Sequence, residues 1–265
     1  MKYAKKYLII LLVLCLALTA FACGKKDDSA SKKLTVGTSA DYPPFEFHIL
    51  DEKNQDKIVG IDISMAQKIA DDIGAELVIK DMSFDFILEE LAQGGFDMAI
   101  AAFETKDGET VTYSDPYYTD YPSMLIIRKA DAEKFSSPES FAKATIGVQS
   151  GSTKVDLLAE TLPDANALLL TTVPDLVNNV LFEKSDGALM DGSVALAYVA
   201  ANDSLMICES VDFGAAVPYV IAVQKGDPKG LLPSINASIA DAVSKGLIDQ
   251  WSEEADVLSA NAIGE

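Results

Sequence analysis

Over most of the chain, stretches with the apolar pattern of a strand alternate with stretches that have the apolar pattern of a helix. Residues 34–38 form a short apolar strand pattern. Met65, Ile69 and Ile73 recur every four residues, which predicts a helix with one apolar face. Residues 98–103 form a continuous apolar run, which is typical of a strand buried in a parallel sheet. Strands separated by helices of about 10 residues indicate βαβ units.

The pattern repeats in the second half, after an irregular segment at 115–123 with two prolines and three tyrosines. The elements predicted there are strands at 145–148, 168–170 and 188–190 and helices at 155–160, 175–182 and 194–201. A strand at 219–223 follows, and two helices end the chain. Two α/β series with a return strand predict an α/β protein of two lobes that the chain crosses twice. The short strand predicted at 58–61 leads into the first helix.

The first 22 residues differ from the rest. Lys2, Lys5 and Lys6 give a positive start, and residues 7–22 are almost wholly apolar. This pattern is typical of a secretory signal peptide, predicted at 1–22. The apolar run of 16 residues is shorter than the roughly 20 that a membrane-spanning helix needs.

Residues 20–24, with the sequence Ala-Phe-Ala-Cys-Gly, resemble the lipobox of bacterial lipoproteins. The resemblance implies that Cys23 receives a lipid after cleavage and that residues 23–33 form a polar tether. The protein would then lie outside the cytoplasm, anchored to the bacterial cell membrane. An uncleaved anchor or a plain secretory signal are the alternatives.

Composition narrows the function classes. Asp and Glu number 41 against 21 Lys and Arg, for a net charge of −20. A nucleic-acid partner is therefore not expected, since such proteins need a cationic face. Arg128 is the sole arginine, so the usual bidentate partner of a carboxylate is scarce in this chain. His48 is the sole histidine, so neither a metal site nor a histidine relay is predicted. No cofactor is expected. Cys208 is predicted to be a buried, unpaired residue in a strand.

Candidate binding residues follow from the predicted strand ends, because open α/β sheets bind ligands beyond the carboxyl ends of their strands. Residues 39–45, 83–84, 102–106 and 149–153 occupy such loops, and Asp191 follows the strand at 188–190. Aromatic rings in these loops offer apolar faces that also attract cations. A helix start after residue 153 would offer free backbone N–H groups to an anion.

Several of these stretches, together with others along the chain, resemble one family. Residues 37–45, 59–63, 95–98, 113–118 and 147–153 are similar, in order and spacing, to polar amino-acid binding proteins of ABC importers, the family 3 extracellular solute-binding proteins. The resemblance runs from residue 33 to about 254. It implies the two-lobed periplasmic-binding-protein-like fold, with a ligand cleft between the lobes.

The resemblance also implies a division of the chain. Residues 34–121 and 219–265 would form lobe 1, and residues 122–218 would form lobe 2. The hinge crossings would lie near 119–123 and 213–219. The ligand would be held in the cleft, and closure of the lobes would complete the site.

By the same resemblance, Tyr42 and Phe84 would sandwich the ligand's side chain. Ser152 and Thr153 would bind its carboxylate at a helix start, and Asp191 would accept its α-ammonium. The alternatives are core packing for the two rings and helix capping for the other three residues.

The segment 101–111 departs from the family pattern, because it lacks the arginine that usually binds the ligand's carboxylate. Ala102 and Glu104 are expected at the ligand, with Asp41 and Lys106 as further candidates, although Lys106 fits a solvated surface lysine somewhat better. The acidic residues predict a ligand of positive or zero net charge: a basic or neutral amino acid first, a carboxylate-free amine second. Acidic amino acids should bind poorly.

The function predicted first is that of a monomeric, membrane-tethered protein that delivers a small ligand to the permease of an ABC importer. The alternatives are an enzyme of the dehydratase type on the same scaffold and a sensory domain. Glu104 could serve such an enzyme as its acid. The sequence shows no nucleophile–base pair, metal cluster or phosphate-binding loop, so no catalytic residue is expected.

Overall fold

A computed structural model describes residues 32–105 and 110–263. From Lys33 onward these residues belong to one compact unit. The predicted signal peptide, Cys23 and Lys106 lie outside the described residues. No helix in the described part of the chain is long and apolar enough to cross a membrane.

The first main sheet takes strands from both ends of the described chain. Its order is β5 (Glu76–Asp81), β1 (Lys33–Thr38), β6 (Met98–Glu104), β14 (Pro218–Gln224) and β7 (Val111–Tyr113), and β8 (Tyr118–Thr119) also pairs with β14. Strand β1 is parallel to β5 and β6, whereas β14 is antiparallel to its neighbours. The return strand predicted at 219–223 therefore completes this sheet.

The helices α1 (Ile61–Asp72) and α2 (Phe84–Gln93) cover the two faces of β6. Met98 and Ile100 pack in the cluster that includes α1, and Ala99 and Ala101 pack in the cluster that includes α2. All four are fully or almost fully buried. This double burial explains the unbroken apolar run and confirms the prediction of a buried strand.

The second main sheet is formed by the middle of the chain. Its order is β11 (Asn166–Leu170), β10 (Thr145–Gln149), β12 (Gly187–Met190), β9 (Met124–Arg128) and β13 (Leu205–Ile207). The helices α3 (Lys154–Thr161), α4 (Val173–Leu181) and α5 (Gly192–Ala201) connect its strands. The parallel core β11-β10-β12 confirms the second βαβ series.

Smaller elements complete the described chain. A sheet of β2 (Asp41–Tyr42), β3 (Glu46–Leu50) and β4 (Asp56–Val59) precedes α1, and its first two strands were not predicted. Two short 3₁₀ helices cover Lys129–Asp131 and Pro138–Phe141. The helices α6 (Leu232–Ser244) and α7 (Leu247–Ile263) follow β14, and both contact α1.

The strand predicted at 58–61 is wrong at its end, because β4 stops at Val59 and Ile61 begins α1. Gly60 makes the turn with φ 128°. A Cβ atom at this position would lie 2.0 Å from the carbonyl oxygen of Phe45. The backbone of α1 therefore starts in direct contact with the turn before β3.

Two chain segments connect the main sheets, one between β8 and β9 and one between β13 and β14. They run side by side where they leave the first sheet, because Thr119 pairs with Pro218 in the β8–β14 ladder. The predicted hinge positions include these segments. Their motion stays a prediction.

Candidate functional site

A cavity of about 80 Å³ lies where the carboxyl ends of strands from both main sheets meet. From the first sheet come the residues after β1 and at the end of β6. From the second come the residues after β10 and after β12. The lining includes most of the predicted site residues, namely Asp41, Tyr42, Phe84, Ala102, Glu104, Ser152, Thr153 and Asp191.

A buried ion cluster joins the two sheets at this cavity. The ammonium of Lys154 lies 2.8 Å from Oε1 of Glu104 and 2.6 Å from Oδ1 of Asp191. The exposed fraction of the lysine side chain is 5%, and that of each carboxylate is 9%. The hydroxyl of Thr153 donates a hydrogen bond to the other oxygen of Glu104. Lys154 was not predicted as a site residue.

The charges of this cluster hold Lys154 in its protonated form. Burial alone would lower the pKa of its ammonium, since it disfavours the charged form. The attraction and hydrogen bonds of Asp191 and Glu104 outweigh burial, and the pKa is raised above that of an ordinary lysine.

Both carboxylate oxygens of Asp191 have partners. The ammonium of Lys154 forms an ion pair with Oδ1, and the hydroxyl of Tyr42 donates a hydrogen bond to Oδ2 at 2.5 Å. Burial, and then the charge of Asp191, raise the pKa of Tyr42 well above its usual value, so its proton stays in place. Asp191 stands at the N-cap position of α5, but its side chain makes no capping hydrogen bond. The helix-capping alternative for Asp191 is therefore wrong.

The helix-capping alternative also fails for Ser152 and Thr153. The hydroxyl of Ser152 donates to the carbonyl of Gln149 at 2.8 Å, and that of Thr153 turns to Glu104. No side chain caps the start of α3. Gly151 brings this loop against α2, where a Cβ atom would lie 3.0 Å from Cα of Asp85. The loop thus contacts the helix that Phe84 begins.

The two predicted aromatic residues both reach the cavity. Phe84 was expected in a loop, but it is the first residue of α2. Its ring lies 5.3 Å from that of Phe103. The ring of Tyr42 lies 6.2 Å from that of Phe45. Each ring is thus fixed by a neighbour within the first sheet's half of the molecule.

A second group of acidic residues, which the sequence did not identify, lies around the cavity. Asp62, at the start of α1, accepts hydrogen bonds from the hydroxyl of Tyr117 at 2.6 Å and from the backbone N–H of Ala102 at 2.8 Å. Burial raises the pKa of Asp62 to about 6, although these hydrogen bonds act against it. The bond also holds Ala102 at φ 47°, at the cavity wall.

Glu46 lines the cavity beside Asp62 and is 1% exposed. Neither of its carboxyl oxygens has a hydrogen bond of good geometry to a described residue, although Asp62 is close enough to interact with it. Burial, followed by the negative charge of Asp62, raises the pKa of Glu46 well above its usual value. Its surroundings therefore favour the protonated acid, and an approaching cation would favour the carboxylate.

Asp41 connects the cavity to α4. Its carboxylate accepts hydrogen bonds from the backbone N–H of Val173 at 3.2 Å and from the hydroxyl of Ser39 at 3.3 Å. Burial raises the pKa of Asp41 to about 6. Together, Asp41, Glu46 and Asp62 line or border one side of the cavity with acids.

Other residues singled out in the sequence lie away from the cavity. His48 is exposed on β3, the middle strand of the three-stranded sheet, and pairs with Asp56 and Asp81. Cys208 is buried, as predicted, but it lies one residue after the end of β13 and not within a strand. The guanidinium of Arg128 is bound to Asp131 and to the carbonyls of Val180 and Ser185. No group of residues within 32–105 and 110–263 has the make-up of a metal site.

The sequence of this chain is similar to those of known binding proteins. Residues 34–254 match the bacterial extracellular solute-binding proteins, family 3. The arginine-binding extracellular protein ArtP of Bacillus subtilis is 31% identical over 208 residues, which are 76% of this chain and 78% of ArtP.

Solved structures of amino acid-binding proteins are also similar to the fold of this chain. An amino acid ABC transporter substrate-binding protein of Streptococcus pneumoniae, bound to L-arginine, has a TM-score of 0.79 and 34% identity, over 85% of this chain and 94% of that one. An ancestral amino acid-binding protein described as a precursor of cyclohexadienyl dehydratase has a TM-score of 0.73 and 29% identity, over 84% and 94%.

Proposed function

Because the chain belongs to the bacterial extracellular solute-binding proteins, family 3, we propose that it captures a basic amino acid, with L-arginine as the first candidate, for an ABC importer. The observation that carries this proposal is the excess of buried acids around the cavity. Asp41, Glu46, Asp62, Glu104 and Asp191 line or border it, whereas Lys154 is the only cation among its described lining residues. Buried carboxylates are unfavourable unless a cation compensates them.

Two groups of these acids would suit the two cations of a basic amino acid. Asp191 would receive the α-ammonium. Glu46 and Asp62 would receive the side-chain cation, which would find an oxygen of Glu46 without a hydrogen bond of its own. The rings of Tyr42 and Phe84 would flank the ligand and add a face that tolerates a positive charge. The relatives that bind arginine support this choice.

Capture would proceed by closure of two lobes about the two connecting segments. The cavity is smaller than the roughly 300–1,000 Å³ of most ligand pockets, so a ligand enters only if the two halves separate. Glu104 and Tyr42 belong to the first sheet's half, and Lys154 and Asp191 to the second. A ligand that contacts both halves favours the closed state.

The lipid anchor on Cys23 is part of the proposal. Its support is the positive start, the apolar run and the cysteine that ends it. The protein would act outside the cytoplasm, next to the permease that receives the ligand. Replacing Cys23 with alanine should abolish lipid labelling in cells, and unchanged labelling would contradict the anchor.

A dehydratase-type activity is the alternative, because one structural relative is a precursor of such an enzyme. Glu104 would have to give up a proton. Both of its carboxyl oxygens instead accept hydrogen bonds, from Lys154 and Thr153, so neither is placed to donate a proton to a substrate. An assay of prephenate-like acids should therefore show no turnover.

A thermal-shift screen against the common amino acids and their amines tests the proposed function. Arginine, lysine and ornithine should stabilise the protein, and aspartate and glutamate should not. A ligand at about 100 times its dissociation constant adds about 2.7 kcal/mol to the free energy of unfolding. Stabilisation by acidic amino acids alone would overturn the proposal.

A further inference from the structure

We propose that Lys154 is the residue that binds the ligand's carboxylate, and that it makes this protein prefer α-amino acids to the corresponding decarboxylated amines. The proposal rests on the proposed function and specifies how that site discriminates among cations. It differs from the expectation drawn from the sequence, which left the carboxylate to a helix start and Lys106.

Positive charges are scarce at the cavity. Among the described lining residues of the cavity, Lys154 carries the only positive charge. Arg128 is held elsewhere by Asp131 and two backbone carbonyls. A carboxylate brought into a cavity lined by acids needs a cation within hydrogen-bond distance, because an uncompensated buried charge is strongly unfavourable.

The positive charge of Lys154 lies beside the carboxylate proposed for the α-ammonium. The ammonium of Lys154 lies 2.6 Å from Asp191, the carboxylate proposed to receive the ligand's α-ammonium. In an amino acid the α-ammonium and the carboxylate are attached to the same carbon. A ligand whose ammonium reaches Asp191 therefore brings its carboxylate close to Lys154.

The buried charges at the cavity can exchange partners when a ligand enters. Lys154 now lies between two carboxylates, those of Asp191 and Glu104. When a zwitterionic group enters, its ammonium takes the place of Lys154 at Asp191, and its carboxylate takes the place of Asp191 at Lys154. Glu104 keeps its contact with the lysine. Each charge then has an opposite neighbour, and no proton has to move.

The start of α3 also favours an anion beside Lys154. Lys154 is the first residue of α3, whose start carries a partial positive charge. The side chains of Ser152 and Thr153 make hydrogen bonds elsewhere and do not cap this start. The ammonium and the helix start thus favour the same charge at the same place.

A decarboxylated amine has no carboxylate to offer Lys154. Its ammonium could reach Asp191 only by displacing Lys154, and it would bring no anion for the displaced lysine. The protein should therefore bind arginine more tightly than agmatine, and lysine more tightly than cadaverine. We expect at least about a tenfold difference, since loss of one partner from a buried charge pair generally exceeds the 1.4 kcal/mol that equals a factor of ten.

Isothermal titration calorimetry of the full mature chain with these two ligand pairs tests the proposal. The variants are Lys154→Arg, Lys154→Met, and Lys154→Met combined with Glu104→Gln. The combined variant removes one buried negative charge together with the lysine, which protects the fold if Lys154→Met alone is unstable. Lys134→Met, which removes an exposed lysine paired with Asp186, is the matched control.

The expected result is a selective loss. The combined variant should bind arginine at least about tenfold more weakly, with agmatine affinity unchanged or increased, so that the preference disappears. Lys154→Arg and Lys134→Met should keep the preference. An arginine-to-agmatine ratio in the combined variant equal to that of the unmodified protein would overturn the role of Lys154. Binding of neither ligand pair by the unmodified protein would instead contradict the proposed function.

Discussion

Asp191 is the residue on which the proposed recognition of the α-ammonium depends. It is buried, and Lys154 and Tyr42 hold its carboxylate in place. Asp191→Asn should weaken arginine binding by about 2–5 kcal/mol, because the amide leaves the ligand's ammonium without an anion. Calorimetry measures the change.

The control for this variant is Asp241→Asn, which alters an exposed carboxylate that pairs with Lys68 and Lys245. It should leave the affinity unchanged. An Asp191→Asn variant with the affinity of the unmodified protein would show that the ammonium is bound elsewhere.

Asp41 and Asp62 predict two opposite responses to pH. Burial raises the pKa of each to about 6 in the folded protein, from 3.8 when unfolded. The folded state therefore binds more protons between these values, and the contribution of these groups to stability grows as pH falls from 8 to 5. Arginine affinity should fall over the same range, because protonated acids attract a cation less.

Urea unfolding and calorimetry across pH 5 to 8 check both responses. The double variant Asp41→Asn, Asp62→Asn should show a flatter stability profile than the unmodified protein. Below about pH 4 the carboxylates with lowered pKa values, such as Asp97 and Asp186, lose their stabilising contribution. Arginine affinity that rises as pH falls from 8 to 5 would contradict the placement of these acids at the ligand.

The sequence could identify those site residues that stand next to a recognisable strand end or helix start. Tyr42, Phe84 and Asp191 stand at strand ends or helix starts, where a single sequence can place them. Lys154 and Glu104 are 50 residues apart, and nothing local shows that they meet. Glu46 and Asp62 each follow an apolar residue, and a sequence pattern would predict that such acidic side chains are exposed to solvent. Packing of the folded chain buries both.

At the scale of single elements, the turn between β4 and α1 positions the acidic group. Gly60 lies one residue before α1, and Asp62 lies in its first turn. Gly60→Ala would place a methyl group 2.0 Å from the carbonyl oxygen of Phe45, in a backbone conformation with φ 128°. We expect a loss of about 3 kcal/mol or more of stability, since both strain and a clash arise.

Gly74→Ala is the matched control, because its φ is also positive, at 64°, but nothing lies within 4 Å of the added Cβ atom. Thermal unfolding should show a much larger loss of melting temperature for Gly60→Ala. Equal losses in the two variants would mean that the contact with Phe45 is unimportant.

The elements that the sequence predicted well are those with a long or uniform pattern. The buried strand β6 and the amphipathic helix α1 match their predictions closely. The strand predicted at 58–61 extended too far, because apolar residues on both sides of Gly60 hide the change from strand to helix. The two-residue strands β2 and β8 have no pattern of their own and depend on pairing with distant segments.

At the scale of the whole molecule, ion pairs and hydrogen bonds across the cavity connect the two sheets. Lys154 reaches Glu104, and Tyr42 reaches Asp191. Because the halves must separate to admit a ligand, we expect the free protein to sample an open state and arginine, by contacting both halves, to favour the closed one. Small-angle X-ray scattering should show a smaller radius of gyration at saturating arginine than without it, and an unchanged radius would count against hinge closure.

Binding of a basic amino acid through the acids around the cavity is the property on which the other binding predictions depend. Calorimetric titration of the chain from Cys23 onward with arginine, glutamine and glutamate at pH 7.5 measures this preference. Arginine should bind most tightly and glutamate at least about 100-fold more weakly, a difference of about 2.7 kcal/mol. Glutamate binding as tight as that of arginine would show that these acids do not select a basic ligand.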